Sequence, residues 1–124
     1  MDIYSRTNYF RVTDPTRLRV IVGRIYDAEL WETNGMFAFG GYGCITEYFD
    51  EELDDFVNIE GELQKILPEG EVVIITEVVA DKLRHISGFT LIITKDKVTH
   101  VNLEEEAIYR ARKTLRNPNK VIEF

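Results

Sequence analysis

Asn34-Gly35 sits between two runs rich in large apolar residues, Leu30-Trp31-Glu32-Thr33 and Met36-Phe37-Ala38-Phe39. An Asn-Gly pair accepts the positive φ angles of a type I′ turn, and the twist of that turn matches two antiparallel strands. The pair therefore predicts a hairpin over residues 29–42 and a sheet that is antiparallel at least in part. Gly40-Gly41-Tyr42-Gly43 follows, and the expectation is that it leaves the sheet as a loop.

Two near-continuous apolar runs lie downstream, Val72-Val73-Ile74-Ile75 and Phe89-Thr90-Leu91-Ile92-Ile93. Such runs predict central strands covered on both faces. The turn between them falls at Ala80-Asp81-Lys82, the returning strand begins over Leu83 to Ser87, and Gly88 marks a bulge. Val98 to Leu103 predicts another strand after a turn at Asp96. Near the start, Asn8-Tyr9-Phe10-Arg11-Val12 is aromatic and β-branched, which suits a short strand.

Helices are announced by their ends. Thr13-Asp14-Pro15 combines a capping side chain with a proline in the first turn, where the missing N–H costs nothing. Leu18, Ile21, Val22 and Ile25 then recur at helical spacing, so this helix ends near Gly23 to Ile25. Phe56, Ile59, Leu63, Ile66 and Leu67 occupy a sector of about 100°, predicting a second helix that Pro68-Glu69-Gly70 stops. Glu104-Glu105-Glu106 opens a third, with Arg110, Arg112, Lys113 and Arg116 at the far end, an order that complements the helix dipole. Ile108, Ala111 and Leu115 supply its buried stripe, and Val121 to Phe124 adds an edge strand. The element order is β-α-β-β-α-β-β-β-α(-β). It predicts one α+β domain over residues 1–124, with a mostly antiparallel sheet of about five or six strands and about three helices mainly on one side.

Composition narrows the class. A chain of 124 residues, 44% hydrophobic, can support one core without covalent staples. Cys44 is the only cysteine, so neither an intramolecular disulfide nor a cysteine-based metal site is expected. Met1-Asp2-Ile3-Tyr4-Ser5-Arg6 has no apolar stretch of the signal-peptide kind, and no apolar run approaches the ~20 residues of a membrane helix. A cytoplasmic protein without membrane contact is the expectation.

The net charge of −7 is unevenly distributed. Eleven acidic residues and one base, Lys65, lie between Glu47 and Glu77, whereas the first 24 residues hold five arginines. That field repels nucleic acid and disfavours direct phosphate binding unless the arginines form their own patch. The plain reading of the acidic run is a solvated face that keeps a small protein soluble.

No catalytic set emerges. Cys44 and His85 form the single thiol–imidazole combination to weigh, and nothing around Cys44 matches a nucleophile motif. The glycines at 40, 41 and 43 lack the spacing and the Lys-Ser/Thr of a phosphate loop. Asp50, Glu51, Glu52, Asp54 and Asp55 lack the central glycine and final glutamate of a calcium loop, so neither metal nor cofactor is expected. Tyr42, Tyr48 and Phe49 lie beside the acidic block, and aromatics next to charge often occur at interfaces.

Several segments resemble a family. Asn8-Tyr9-Phe10-Arg11-Val12, Phe39-Gly40-Gly41-Tyr42-Gly43, Glu62-Leu63-Gln64-Lys65-Ile66-Leu67-Pro68-Glu69-Gly70-Glu71-Val72 and Asp81-Lys82-Leu83-Arg84 with Gly88 are similar to small acidic proteins of unknown function. Those proteins are carried on bacterial phages, plasmids and conjugative elements. The resemblance implies no assigned activity. It implies a non-enzymatic accessory factor that binds a host protein, since some proteins of mobile elements imitate the charge of nucleic acid to block defence nucleases. The expected partner is a basic, nucleic-acid-binding host protein, met by Glu47, Tyr48, Asp50, Glu51, Glu52, Asp54, Asp55 and Glu62. The alternative is a small-ligand or nucleotide sensor built on Gly40, Gly41 and Tyr42 with Arg11 or Arg84.

Overall fold

The computed structural model describes residues 2–81, 85–117 and 119–122. The elements run β1 (Asp2–Thr7), α1 (Pro15–Arg24), β2 (Ala28–Thr33), β3 (Met36–Gly41), β4 (Glu47–Asp50), β5 (Asp55–Asn58), α2 (Glu60–Ile66), β6 (Val73–Asp81), β7 (His85–Ile93), β8 (Val98–Asn102) and α3 (Leu103–Thr114). Six strands form one antiparallel sheet in the order β2-β3-β1-β6-β7-β8, and β4-β5 is a separate two-stranded hairpin. This is the α+β class that the sequence predicts.

Local chemistry accounts for the first half. The Asp14 side chain accepts a hydrogen bond from the Arg17 N–H and Pro15 fills the first turn, so α1 starts where its cap dictates. Asn34 (φ 52°) and Gly35 (φ 75°) make the β2–β3 turn. Side chains alternate along β3, with Phe37 and Phe39 turned into the core. Leu18, Ile21 and Val22 of α1 meet them there, together with Leu63 and Ile66 of α2, Val73 and Ile75 of β6, and Leu91 and Ile93 of β7. α1 and α2 therefore cover one face of the sheet.

The opposite face is largely uncovered. Ile74 and Val78 alternate with the buried Val73 and Ile75 on β6 and are more than a third exposed, so these strands are not covered on both faces. α3 begins on this second face: a Cβ at Gly88 would lie 2.9 Å from Leu103 Cδ2. Gly88 is thus a point of close approach and not a bulge, since β6 and β7 stay in continuous register past it, Val78 opposite Gly88.

Other expectations need correction. The first strand is Asp2–Thr7, not residues 8–12. Asn8 ends it because its side chain takes over the ladder: Nδ2 donates to Val72 O (3.1 Å) and Oδ1 accepts from the Ile74 N–H (2.7 Å). Phe10 then pairs only as a bridge with Phe37 and drops into the core. Gly40 and Gly41 belong to β3 and not to an exit loop, because strand neighbours crowd them: a Cβ would lie 2.6 Å from Ser5 O at the first and 2.6 Å from Asp27 O at the second. The second helix starts at Glu60; Phe56 lies on β5. Ala80 and Asp81 extend β6, and the remainder of the expected turn, Lys82, lies outside the described residues. No α3 residue is buried, so Ile108, Ala111 and Leu115 form no buried stripe. Residues 121 and 122 form no strand, and the rest of that expected strand lies outside the described residues.

Candidate functional site

Two surfaces gather the chemistry. The first is the β4–β5 hairpin. Tyr48 pairs with Val57 on the side turned into the core, while Phe49 pairs with Phe56 on the outer side. The outer rings meet edge to face at 5.4 Å between centroids, yet Phe49 is 48% and Phe56 59% exposed. Leu53 at the turn is 67% exposed. Asp54 takes φ 51°, a left-handed conformation that aspartate tolerates better than most residues. Asp50 Oδ1 accepts from the N–H groups of Glu52 (2.9 Å) and Leu53 (3.1 Å), and Asp55 Oδ1 accepts from the Phe56 N–H (2.7 Å). Glu51, Glu52 and Asp54 make no side-chain hydrogen bond or ion pair among the described residues, so their charges face solvent on the tip.

The expected acidic residues thus divide by role. Asp50 and Asp55 shape the turn, and Glu51, Glu52 and Asp54 are free to meet a partner. Tyr48 is buried, so its ring is an anchor and not a contact surface. Glu62 lies on α2 and is engaged internally. Its Oε1 accepts from Arg17 Nη2 (3.2 Å) and Arg24 Nη1 (3.4 Å), while Oε2 is buried without a partner. Arg24 also donates to Tyr48 Oη (3.4 Å) and lies 5.4 Å from that ring centroid. This cluster ties α1, α2 and β4 together. Glu47, half-buried, raises the pKa of Glu77 on β6 in second place to burial itself.

The second surface is a groove of about 530 Å³ on the uncovered face of the sheet. Gly40, Gly41 and Tyr42 line it, as the sensor reading expects, but the arginine beside them is Arg6. Arg11 lies elsewhere: its backbone N–H donates to Glu71 Oε2 (3.0 Å). Arg84 lies outside the described residues. Tyr4 and Tyr42 meet edge to face at 5.7 Å, and the Arg6 guanidinium carbon lies 5.9 Å from the Trp31 ring centroid. Sequence reasoning missed Tyr4 and Arg6 because the pairing that brings β1 beside β3 spans more than thirty residues, Arg6 opposite Gly40. The local register of the Asn34-Gly35 hairpin, Trp31 opposite Ala38, was the signal that could have found Trp31.

Cys44 Sγ lies 3.0 Å from Thr46 Oγ1; the side chain of His85 lies outside what is described. Among the described residues no three His, Cys, Asp or Glu side chains are placed to hold a metal ion, and no helix is long and apolar enough to cross a membrane. Comparison with known proteins found no family model, curated protein or solved structure that matches this chain.

Proposed function

We propose that this is a non-enzymatic binding protein that docks onto a basic partner protein through the β4–β5 hairpin. One observation carries the reading: the exposed Phe49–Phe56 pair, framed by the free carboxylates of Glu51, Glu52 and Asp54. The fold does not require aromatic rings there, because Tyr48 and Val57 already anchor the other side of the hairpin. Burying one such ring gains roughly 1.5–3 kcal/mol, and aromatic anchors ringed by polar groups are where binding energy concentrates. The carboxylates select a positively charged surface and steer encounter with it.

A nucleic-acid-binding protein is the partner class whose charge fits best. The mobile-element resemblance makes a host defence or DNA-processing protein the specific proposal. In that setting the carboxylates stand in for phosphates, and the rings add contacts that phosphates do not supply.

The test is capture of bacterial lysate proteins on the wild-type protein, on Phe49→Ser with Phe56→Ser, and on Glu51→Lys with Glu52→Lys and Asp54→Lys. A basic protein retained by the wild type is expected to be lost from both variants, each weakening binding by more than ~10-fold. Losing the Phe49–Phe56 contact, or placing lysine at the left-handed Asp54, should cost about 1–2 kcal/mol, so an unchanged circular dichroism spectrum with a cooperative melt serves as the folding control. Retention that ignores both variants sinks the hairpin reading. Loss on the charge variant alone, with the rings indifferent, reduces it to electrostatics.

A further inference from the structure

The alternation along β3 makes the uncovered face of the sheet concave. Phe37 and Phe39 point into the core, so Gly40 points the other way and, lacking a side chain, leaves a low floor. Large side chains stand on both flanks, Trp31 and Glu29 from β2, Tyr4 and Arg6 from β1. The groove between them, about 530 Å³, lies within the ~300–1,000 Å³ usual for small-molecule sites.

Its polar groups have unfilled bonding capacity. Arg6 Nε donates to Thr7 O (3.3 Å), and its two terminal nitrogens have no acceptor among the described residues. A guanidinium held near an indole, with that edge open, presents a two-pronged donor for one anionic group. Glu29 and Asp27 on the other rim make no ion pair or side-chain hydrogen bond among the described residues, so they offer acceptors for hydroxyl or amino donors. Trp31, Tyr4 and Tyr42 supply ring surface, with Tyr42 75% exposed. Two carboxylates against one arginine disfavour a ligand with several negative charges.

From this set we propose that the groove binds a small free nucleotide carrying one phosphodiester charge. The base stacks on the rings, its amino group or the ribose hydroxyl donates to Glu29 or Asp27, and the phosphate meets Arg6. A single-stranded polymer shares that chemistry, but the chain's net charge of −7 repels a polyanion. The site is independent of the hairpin proposed above.

Trp31 is the only tryptophan, so its emission reports the groove directly. The experiment titrates the full chain with 3′,5′-cyclic AMP and cyclic GMP, each singly charged at neutral pH, alongside adenosine, ATP and a short single-stranded DNA. Equilibrium dialysis runs in parallel, in case binding leaves the emission unchanged. The expected result is saturable binding of a cyclic nucleotide, weaker for adenosine and for ATP, and undetectable for the DNA. Arg6→Gln should weaken the cyclic nucleotide ~10-fold or more while leaving adenosine unchanged. Phe49→Ser with Phe56→Ser should leave binding intact, which separates this site from the hairpin. No saturable binding of either cyclic nucleotide by both readouts, equal affinity in the Arg6 variant, or tighter binding of ATP or DNA would each overturn the proposal.

Discussion

Glu77 sits on the core side of β6, opposite Ser5 on one neighbouring strand and Phe89 on the other. Burial raises its pKa above the ordinary value of 4.5, and the negative charge of Glu47 raises it further. The sign follows from linkage. A carboxyl whose folded pKa exceeds its unfolded one binds protons more tightly in the native state, so its contribution to stability is full below the unfolded pKa and is lost as pH rises through the folded pKa. At neutral pH the ionised group is therefore a burden on the fold. Glu77→Gln is expected to raise the melting temperature at pH 7, with the gain fading as pH falls to about 4, where both states protonate the wild-type side chain. Glu47→Gln should capture the smaller part of that gain. Melting curves of the two variants between pH 4 and 8 check this; a gain independent of pH would place the effect in packing. Glu62 is a carboxylate with two arginines on one oxygen and none on the other. Its acidic sequence neighbourhood suggested a surface for partners, whereas its three-dimensional neighbourhood makes it a brace between helices.

Elements differ in how firmly they are held, and α3 is held least. Its polar contacts are local, with Leu103 against Gly88 its close approach to the sheet: Asn102 Oδ1 caps the Glu105 N–H (3.1 Å), Glu106 pairs with Arg110 (2.9 Å), and Lys113 Nζ lies 4.3 Å from the Tyr109 ring centroid. No side chain of α3 is buried, and an isolated helix shorter than ~12–15 residues is marginal in water. Hydrogen exchange should therefore find α3 amides opening far more readily than those of Ile75 and Leu91. Gly88→Ala, which drives a methyl against Leu103, should speed α3 exchange further while leaving the core amides alone. Equal protection throughout would contradict it. The same contrast explains what could be read from sequence. α1, the β2–β3 turn and the apolar parts of β6 and β7 are written in short-range signals: a cap, an Asn-Gly pair, a run of apolar residues. The β4–β5 hairpin is written in four-residue strands with a charged turn. Phe56 also fits the helical spacing of Ile59 and Leu63, so the helix pattern ran on past its true start. Asp54, an aspartate able to take positive φ, was the available clue. For the groove, Gly40, Gly41 and Tyr42 were visible, the hairpin register held Glu29 and Trp31 on β2, and the partners on β1 were not legible. Alternation in Phe37-Ala38-Phe39-Gly40 marks a low strand, but only the register shows what stands beside it.

At the scale of the whole molecule, β1 joins two halves that local signals build separately. On one side lies the β2–β3 hairpin and on the other the β6-β7-β8 meander, and β1 is the strand between them. Its pairing with β6 links positions about seventy residues apart, from Asp2 opposite Ala80 to Thr7 opposite Ile75. Buried polar side chains reinforce the join: Ser5 Oγ donates to Gly43 O (2.6 Å), and Thr7 Oγ1 accepts from the Phe39 N–H (3.1 Å). A sheet closed by so distant a pairing forms slowly, because loop closure precedes the contacts that reward it. It also makes the halves interdependent. Ser5 has neighbours on both sides, Gly41 and Glu77, so a proline there removes a ladder donor and the Oγ bond together. Ser5→Pro should cost ~3 kcal/mol or more. Because both halves lean on β1, denaturant unfolding should stay a single transition, with Trp31 emission from β2 and far-UV circular dichroism from the whole sheet moving to the same lower midpoint. Two separated midpoints would mean that the hairpin and the meander fold as autonomous units, and that β1 merely bridges structures able to stand without it.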